Sequence, residues 1–217
     1  MIERTFNQCI KAFPKSSVFV ATDDERIANH CTERGMQVIM TSQDCLTGTD
    51  RIAEAAEHIG SDYYINVQGD EPLINPEDII KLAEATKNYP GEILNGYCEI
   101  DDPELFYRST IPKVVFRPDK RLLYMSRASI PTNKEYGFQK AWRQVCIYGF
   151  PATALQKFRR QQRKTKLEQI EDIEILRFLE IGYDVRMIEM TKDSIAVDIP
   201  EDVEKVLKTL GISNEKY

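Results

Sequence analysis

The chain has 217 residues, enough for one α/β domain or one domain with a small lobe. Hydrophobic residues make up 42% and charged residues 29%, an ordinary globular profile. The net charge of −6 argues against sequence-blind nucleic-acid binding, which needs an excess of Lys and Arg, and no apolar run approaches the ~20 residues of a membrane helix. Neither nucleic acid nor a membrane is therefore expected as a partner.

The first residues, MIERTFNQCIKAF, mix acid and base and lack the basic, apolar and small-residue order of a signal peptide. Residues 2–13 carry an apolar stripe at helical spacing, closed by Pro14. Residues 17–22, SVFVAT, read as a buried strand, and Asp23 and Asp24 follow it as caps for a helix over 25–34. A short strand over 37–40 precedes a loop, Thr47-Gly48-Thr49-Asp50, and a helix over 51–58 capped by Asp50 or Thr49. Residues 63–67 form the next strand. Strand and helix alternate here over about 50 residues, and such alternation predicts a parallel sheet covered by helices.

Asn75 and Pro76 open a helix over 76–88. Residues 93–100 are strand-like and 102–107 a short helix or turn. KVVF (113–116) and LLYMS (122–126), joined through Pro118-Asp119-Lys120, form a predicted hairpin. Residues 130–141 are aperiodic and predict a loop; 143–150 predict a strand, 152–163 and 167–180 helices, 183–189 a strand and 203–210 a last helix. The five cysteines (Cys9, Cys31, Cys45, Cys98, Cys146) are scattered without a C-x-x-C, which predicts free thiols in a reducing, cytoplasmic setting. His30 and His58 both fall within helical patterns and read as structural.

One stretch concentrates chemistry. In YYINVQGDEPLIN (63–75) a short apolar strand breaks at Gly69 and sets Asp70 beside Glu71 before Pro72. Ligands of open α/β sheets bind at the carboxyl ends of strands, and a carboxylate held there suits a hard divalent cation. The alternative is a solvated acidic turn. Asp198, in SIAVDIPED, follows another strand and is either a helix cap or a second ligand; with Asp70 it could clamp one magnesium ion, as nucleotidyl transfer requires.

Five blocks in order carry a family resemblance: SVFVATDDERIA, TSQDCLTGTDRIAE, YINVQGDEPLI, LLYMSRASIP and DSIAVDIPEDVEKV. Spanning residues 17–206, they resemble the 3-deoxy-manno-octulosonate cytidylyltransferases (CMP-Kdo synthetases). The resemblance implies one α/β domain over 1–217, with a mainly parallel nucleotide-binding sheet and inserted antiparallel strands over 93–150. It implies a magnesium-assisted reaction of CTP with an acidic eight-carbon keto sugar, giving the CMP-sugar and pyrophosphate for lipopolysaccharide synthesis, and a homodimer. By position it implies Asp70 and Asp198 as metal ligands and, with Gln68, as the catalytic set. Arg51, Gln68 and Thr49 would face the nucleotide; a guanidinium matches the cytosine O2 and N3 acceptors. Ser126, Arg127, Gln144, Tyr148 and Glu174 would face the sugar, where the fork of an Arg suits a carboxylate. Lys113 is a further candidate for an anionic group.

Three departures from the family pattern matter. The family reads His-x-Gly-Ile-Tyr where this chain has Gln144-Val145-Cys146-Ile147-Tyr148, and Glu-Gln-Leu-Arg where it has Glu174-Ile175-Leu176-Arg177. Two polar sugar contacts are thus exchanged, and the pattern is similar to the branch that activates the 8-amino-3,8-dideoxy relative of Kdo. The family's amino-terminal strand and phosphate loop, I-P-A-R-x-x-S-x-R-x-P-G-K-P, would precede Met1. Without it the chain is expected to bind CTP poorly and to leave a gap in the sheet between residues 17–22 and 63–67, as a shortened chain or a variant of low activity. The competing readings are activation of another acidic capsule sugar and a non-catalytic remnant. The transferase reading requires Asp70 and Asp198 to reach one common ion.

Overall fold

The computed structural model describes residues 1–192, 194–197 and 199–212. Helix α1 (Ile2–Ala12) is followed by β1 (Phe19–Thr22), α2 (Glu25–Glu33), β2 (Gln37–Met40), α3 (Gly48–Ala55) and β3 (Tyr63–Val67). Then come α4 (Pro76–Asn88), β4 (Ile93–Ile100), α5 (Pro103–Tyr107), β5 (Lys113–Phe116), β6 (Leu122–Ser126) and β7 (Ala141–Pro151). The chain continues through α6 (Ala152–Arg159), α7 (Lys166–Glu171), α8 (Ile175–Glu180), β8 (Val185–Glu189) and α9 (Pro200–Thr209).

The α/β class expected from the alternating pattern is present, and the sheet is mixed. Strands β1 and β2 pair in parallel as a two-stranded sheet, and β4 pairs in parallel with β8. All other pairings are antiparallel, because the 93–150 region supplies β7, a strand long enough to serve three neighbours. On one edge β7 pairs with β4. On its other edge Trp142 and Arg143 pair with β5, whereas Ile147 to Pro151 pair with β3. Between these stretches β5 and β3 diverge, and the edge of β7 at residues 144–146 is left to loops. Strands β1 and β3 share no pairing.

A bulge in β4 lies directly behind that fork. The ladder shifts register between Asn95 and Gly96, and Asn95 Nδ2 donates to the Val145 and Ile147 carbonyls at 3.1 and 3.0 Å. A Cβ at Gly96 would lie 2.7 Å from Ile147 Cγ2, so only glycine lets the two strands approach here. The main core joins β4, β7 and β8 to α6 and α8, with Phe150, Phe158 and Phe178 fully buried and the first two rings both against Phe178. A second cluster lies under α4, and a third between α1, α2 and the β1–β2 pair.

Two helices differ from expectation. The helix predicted over 167–180 is broken into α7 and α8 at Asp172, whose φ of 52° caps α7 in the left-handed region. Leu167 and Ile170, read as part of one apolar stripe, are exposed, whereas Ile173 and Leu176 are buried. The break sends Glu171 to Glu174 toward the fork. Helix α3 begins at Gly48 with Thr47 as its cap, not Asp50 or Thr49, because the Thr47 hydroxyl accepts from Asp50 N–H at 3.2 Å.

Candidate active site

The fork beside β7 opens into a cavity of about 220 Å³ bordered by Gln68, Asp70, Arg127, Gln144, Tyr148 and Glu174. The turn after β3 forms one wall. Gln68 N–H donates to the Cys146 carbonyl at 3.3 Å, so this turn begins on the free edge of β7. The Thr5 hydroxyl of α1 donates to the Gly69 carbonyl at 3.0 Å and pins the turn from outside. Glu71 turns inward and is buried. Its carboxylate accepts from Cys146 N–H at 3.3 Å and from the Ser194 hydroxyl, and burial pushes its pKa up.

The same turn meets the segment after β8. Val197 N–H donates to the Asp70 carbonyl at 2.9 Å, and Arg143 Nη2 donates to the Ser194 carbonyl at 2.9 Å. Arg143, which also borders the cavity, was not singled out from sequence, because a strand-edge Arg carries no signal of what lies across from it. Asp198, the second expected ligand, lies outside the described residues. Among the described residues no group of three or more His, Cys, Asp or Glu side chains could hold a metal ion together.

Residues 172–174, between α7 and α8, form the second wall, with the start of α3 behind them. Glu174 accepts from Gln68 Nε2 at 2.9 Å and from the Thr49 backbone N–H. Burial pushes its carboxyl upward in pKa, against the donors from Thr49 and Thr47. The α3 start presses against this pair: a Cβ at Gly48 would lie 3.3 Å from Glu174 Oε1 and 3.5 Å from Gln68 Nε2. Thr49 is fully buried and contributes through its backbone. Arg51 points the other way. Its Nη1 donates to the Thr41 hydroxyl at 2.6 Å and its Nη2 lies 3.2 Å from Asp23 Oδ2, at the carboxyl ends of β1 and β2. There Asp23, Thr41 and Gln43 border an open cavity of about 580 Å³.

The third wall comes from β6 and α7. Glu171, missed from sequence because it sat within a predicted continuous helix, organises it. Its carboxylate accepts from the Ser126 hydroxyl at 2.6 Å, Arg127 N–H at 2.9 Å and the Tyr124 hydroxyl at 3.2 Å. Burial alone would raise its pKa, and these donors outweigh burial and hold it below the ordinary value. The Arg127 guanidinium donates to the carbonyls of Glu171 at 2.6 Å, Asp172 at 2.9 Å and Ser109 at 3.1 Å. Of the five N–H donors of an Arg, two are left by these bonds for a ligand. Gln144 Nε2 donates to Asn95 Oδ1 at 3.0 Å and to the Tyr148 hydroxyl at 3.3 Å. The expectation of an anion role for Lys113 gives way to a structural one. Its buried ammonium donates all three protons, to the carbonyls of Arg108, Ile111 and Arg127 at 2.7–2.8 Å. Burial lowers its pKa to about 8. Ile175 is fully buried in the main core, so the polar residue of the family pattern is replaced there by core packing.

An α/β fold with a polar cavity at the carboxyl ends of a parallel strand pair, and a second cavity bordered by carboxylates, suits an enzyme that brings two polar substrates together. Residues 1–193 match the family described as cytidylyltransferase. A curated relative from Chlorobaculum tepidum, a 3-deoxy-manno-octulosonate cytidylyltransferase, is 39% identical over 95% of this chain and 85% of its own length. An 8-amino-3,8-dideoxy-manno-octulosonate cytidylyltransferase from Shewanella oneidensis is 34% identical over 98% of this chain and 88% of its own. A solved structure of a CMP:2-keto-3-deoxy-manno-octonic acid synthetase complexed with CTP superposes with a TM-score of 0.87 at 30% identity, over 97% of this chain and 87% of that one. The chain belongs to the cytidylyltransferase family.

Proposed function

We propose that this protein transfers CMP from CTP to 3-deoxy-manno-octulosonate or its 8-amino-3,8-dideoxy analogue, releasing pyrophosphate, in lipopolysaccharide synthesis. The observation that carries this reading is the likeness, over nearly the whole chain, to a synthetase of that sugar solved with CTP. In this reading Arg51 binds the cytosine in the cavity beside β1 and β2. The sugar lies in the fork, its carboxylate against Arg127 and its hydroxyls against Gln144 and Tyr148, while Ser126, expected there from sequence, is buried and holds Glu171 instead.

Asp70 and Asp198 would hold a magnesium ion. The donor set fits: these are oxygen ligands of the kind magnesium prefers, and Val197, the residue before Asp198, is hydrogen-bonded to Asp70. When bound, the ion supplies charge neutralisation at the phosphate under attack. The protein's own part is alignment. Glu174 accepts one amide hydrogen bond of Gln68, which leaves Gln68 Oε1, on a residue that borders the cavity, to accept a hydrogen bond from a sugar hydroxyl or amine. Fixing both reactants in place converts a bimolecular encounter into a step between preplaced groups.

Between the two sugars we favour the 8-amino analogue. Gln144 stands where the family carries His, Ile175 is packed in the core, and Glu174, an acidic residue bordering the cavity, suits an ammonium. The protein acts in the cytoplasm as a homodimer in this reading, through the edge strand β6, which turns Leu123 outward. No described helix is long and apolar enough to cross a membrane. Pyrophosphate release measured with CTP, magnesium and each sugar in turn tests the assignment. A kcat/KM at least tenfold higher with the 8-amino sugar is expected. A clear preference for Kdo would reverse the choice of sugar, and turnover of neither would overturn the function.

A further inference from the structure

Arg177 is the largest fully buried side chain among the described residues. It lies one turn after Glu174, and residues three apart share a helix face. Its Nε and Nη2 each donate to Glu168 at 2.6 Å, and its Nη1 and Nη2 donate to Asp50 at 2.7 and 3.0 Å. The guanidinium carbon lies 3.8 Å from the Phe158 ring centroid, so the plane of the fork is fixed by stacking as well. Both carboxylates are anchored beyond it. Glu168 accepts from Thr165 N–H at 3.0 Å, and Asp50 accepts from the Thr47 hydroxyl at 2.7 Å. The result is a chain of paired charges from the start of α7 to the start of α3, with no solvent-exposed member at its centre.

The partner chosen on α3 gives this pairing its meaning. Asp50 stands between Thr49, whose N–H goes to Glu174, and Arg51, whose guanidinium reaches Thr41 and Asp23. Helix α8 therefore grips the 47–51 turn at two successive residues, through Glu174 at Thr49 and through Arg177 at Asp50. We propose that Arg177 is a positioning residue for the nucleotide half of the site, acting through Asp50 to fix the direction in which Arg51 leaves α3. An interior Met or Leu could fill the same volume, and a buried ion pair is often no more stable than such packing. Two carboxylates bonded through one planar fork define an orientation, which packing alone does not. A Lys, with a point charge and rotatable donors, cannot bond both carboxylates in one plane.

The inference rests on the reading of Arg51 as facing the base, and two measurements separate the two claims. The first is amide hydrogen exchange of the ligand-free protein, parent against Arg177→Lys. Exchange at residues 48–52 should rise at least tenfold while β4 and β7 stay at the parent rate. Parent-like exchange at 48–52, or a uniform rise over all elements, overturns the positioning role. Should Arg177→Lys fail to fold, Arg177→Met, which fills the same volume without a charge and leaves the Thr47–Asp50 bond in place, is held to the same criterion. The second is calorimetric titration with CTP, with sugar KM measured alongside. Where the exchange criterion is met, CTP binding at least tenfold weaker with sugar KM within twofold supports the role in the nucleotide half. Unchanged CTP affinity despite a loosened 48–52 turn removes that role and leaves Arg177 a local structural clamp, while the placement of Arg51 is decided separately by CTP titration of Arg51→Ala.

Discussion

Glu174→Gln offers a sharp test of how the fork is wired. Glu174 accepts two hydrogen bonds, from Thr49 N–H and from Gln68 Nε2 at 2.9 Å. A Gln at 174 has one acceptor and one donor end. The Thr49 amide cannot turn, so the new carboxamide must aim its oxygen at Thr49 and its NH2 at Gln68. Gln68 can answer by rotating its own amide half a turn, at little cost, and both bonds survive. Folding stability should therefore change by less than about 1 kcal/mol, since no buried group loses its partner. The end of Gln68 not bonded to residue 174, however, changes from carbonyl oxygen to NH2. A ligand proton donor then meets a donor, at about 1–3 kcal/mol, or roughly 5- to 150-fold in kcat/KM for the sugar. Urea unfolding and pyrophosphate release measured on the same preparation check both halves. The pH profile adds a signature. Burial raises the Glu174 pKa, and the protonated acid would donate to Gln68 as the variant does. The parent should lose activity as pH falls through that raised pKa, above the ordinary carboxylate range, and the variant should lack this limb. A variant with parent kcat/KM, or one destabilised by about 3 kcal/mol or more, refutes the reasoning.

Lys113→Met should cost about 2–4 kcal/mol at pH 7, because three inward carbonyls lose one ammonium. The folded-state pKa of about 8 lies below the ordinary 10.5, so the unfolded chain binds the extra proton between these values and the parent's Lys113 contribution rises with pH across that window. The stability gap between parent and variant should widen there, by at most about 1.4 kcal/mol per pH unit; a gap that stays flat to pH 10 defeats this account. Gly96→Ala places a Cβ 2.7 Å from Ile147 Cγ2 and should lower stability by about 1–3 kcal/mol, read as a fall in Tm of roughly 2–4 °C per kcal/mol. Arg51→Ala should weaken CTP binding at least tenfold by calorimetry and leave sugar KM within twofold, whereas an equal effect on both would place Arg51 elsewhere.

Local signals in the chain were strong where a short segment decides its own structure. The strand running into Gln68-Gly69-Asp70-Glu71, the Asn75-Pro76 helix start and the hairpin turn at Pro118-Asp119-Lys120 all lie where residue type alone placed them. Motif likeness supplied the family. The pairing of β3 with β7 was not legible, because alternation of strand and helix says nothing about a long antiparallel strand arriving about 80 residues later. The split between α7 and α8 was hidden as well, since Asp172 is an ordinary surface residue until its left-handed φ is seen. Lys113 and Arg127 illustrate the limit for charged residues. Their types suggested ligands, but much of their donor capacity is spent on main-chain carbonyls of loops that have no sequence periodicity.

The division of labour along β7 has an evolutionary corollary. The first half of that strand abuts the inserted hairpin and the second half abuts β3, so the two neighbours can drift independently. Exchanging or reshaping the hairpin would recut one side of the fork without disturbing the β3 pairing or the β1–β2 cavity. On the proposed function, chains of this fold acting on different sugars would share one nucleotide-binding frame and differ mainly in what is grafted onto one edge of a single strand.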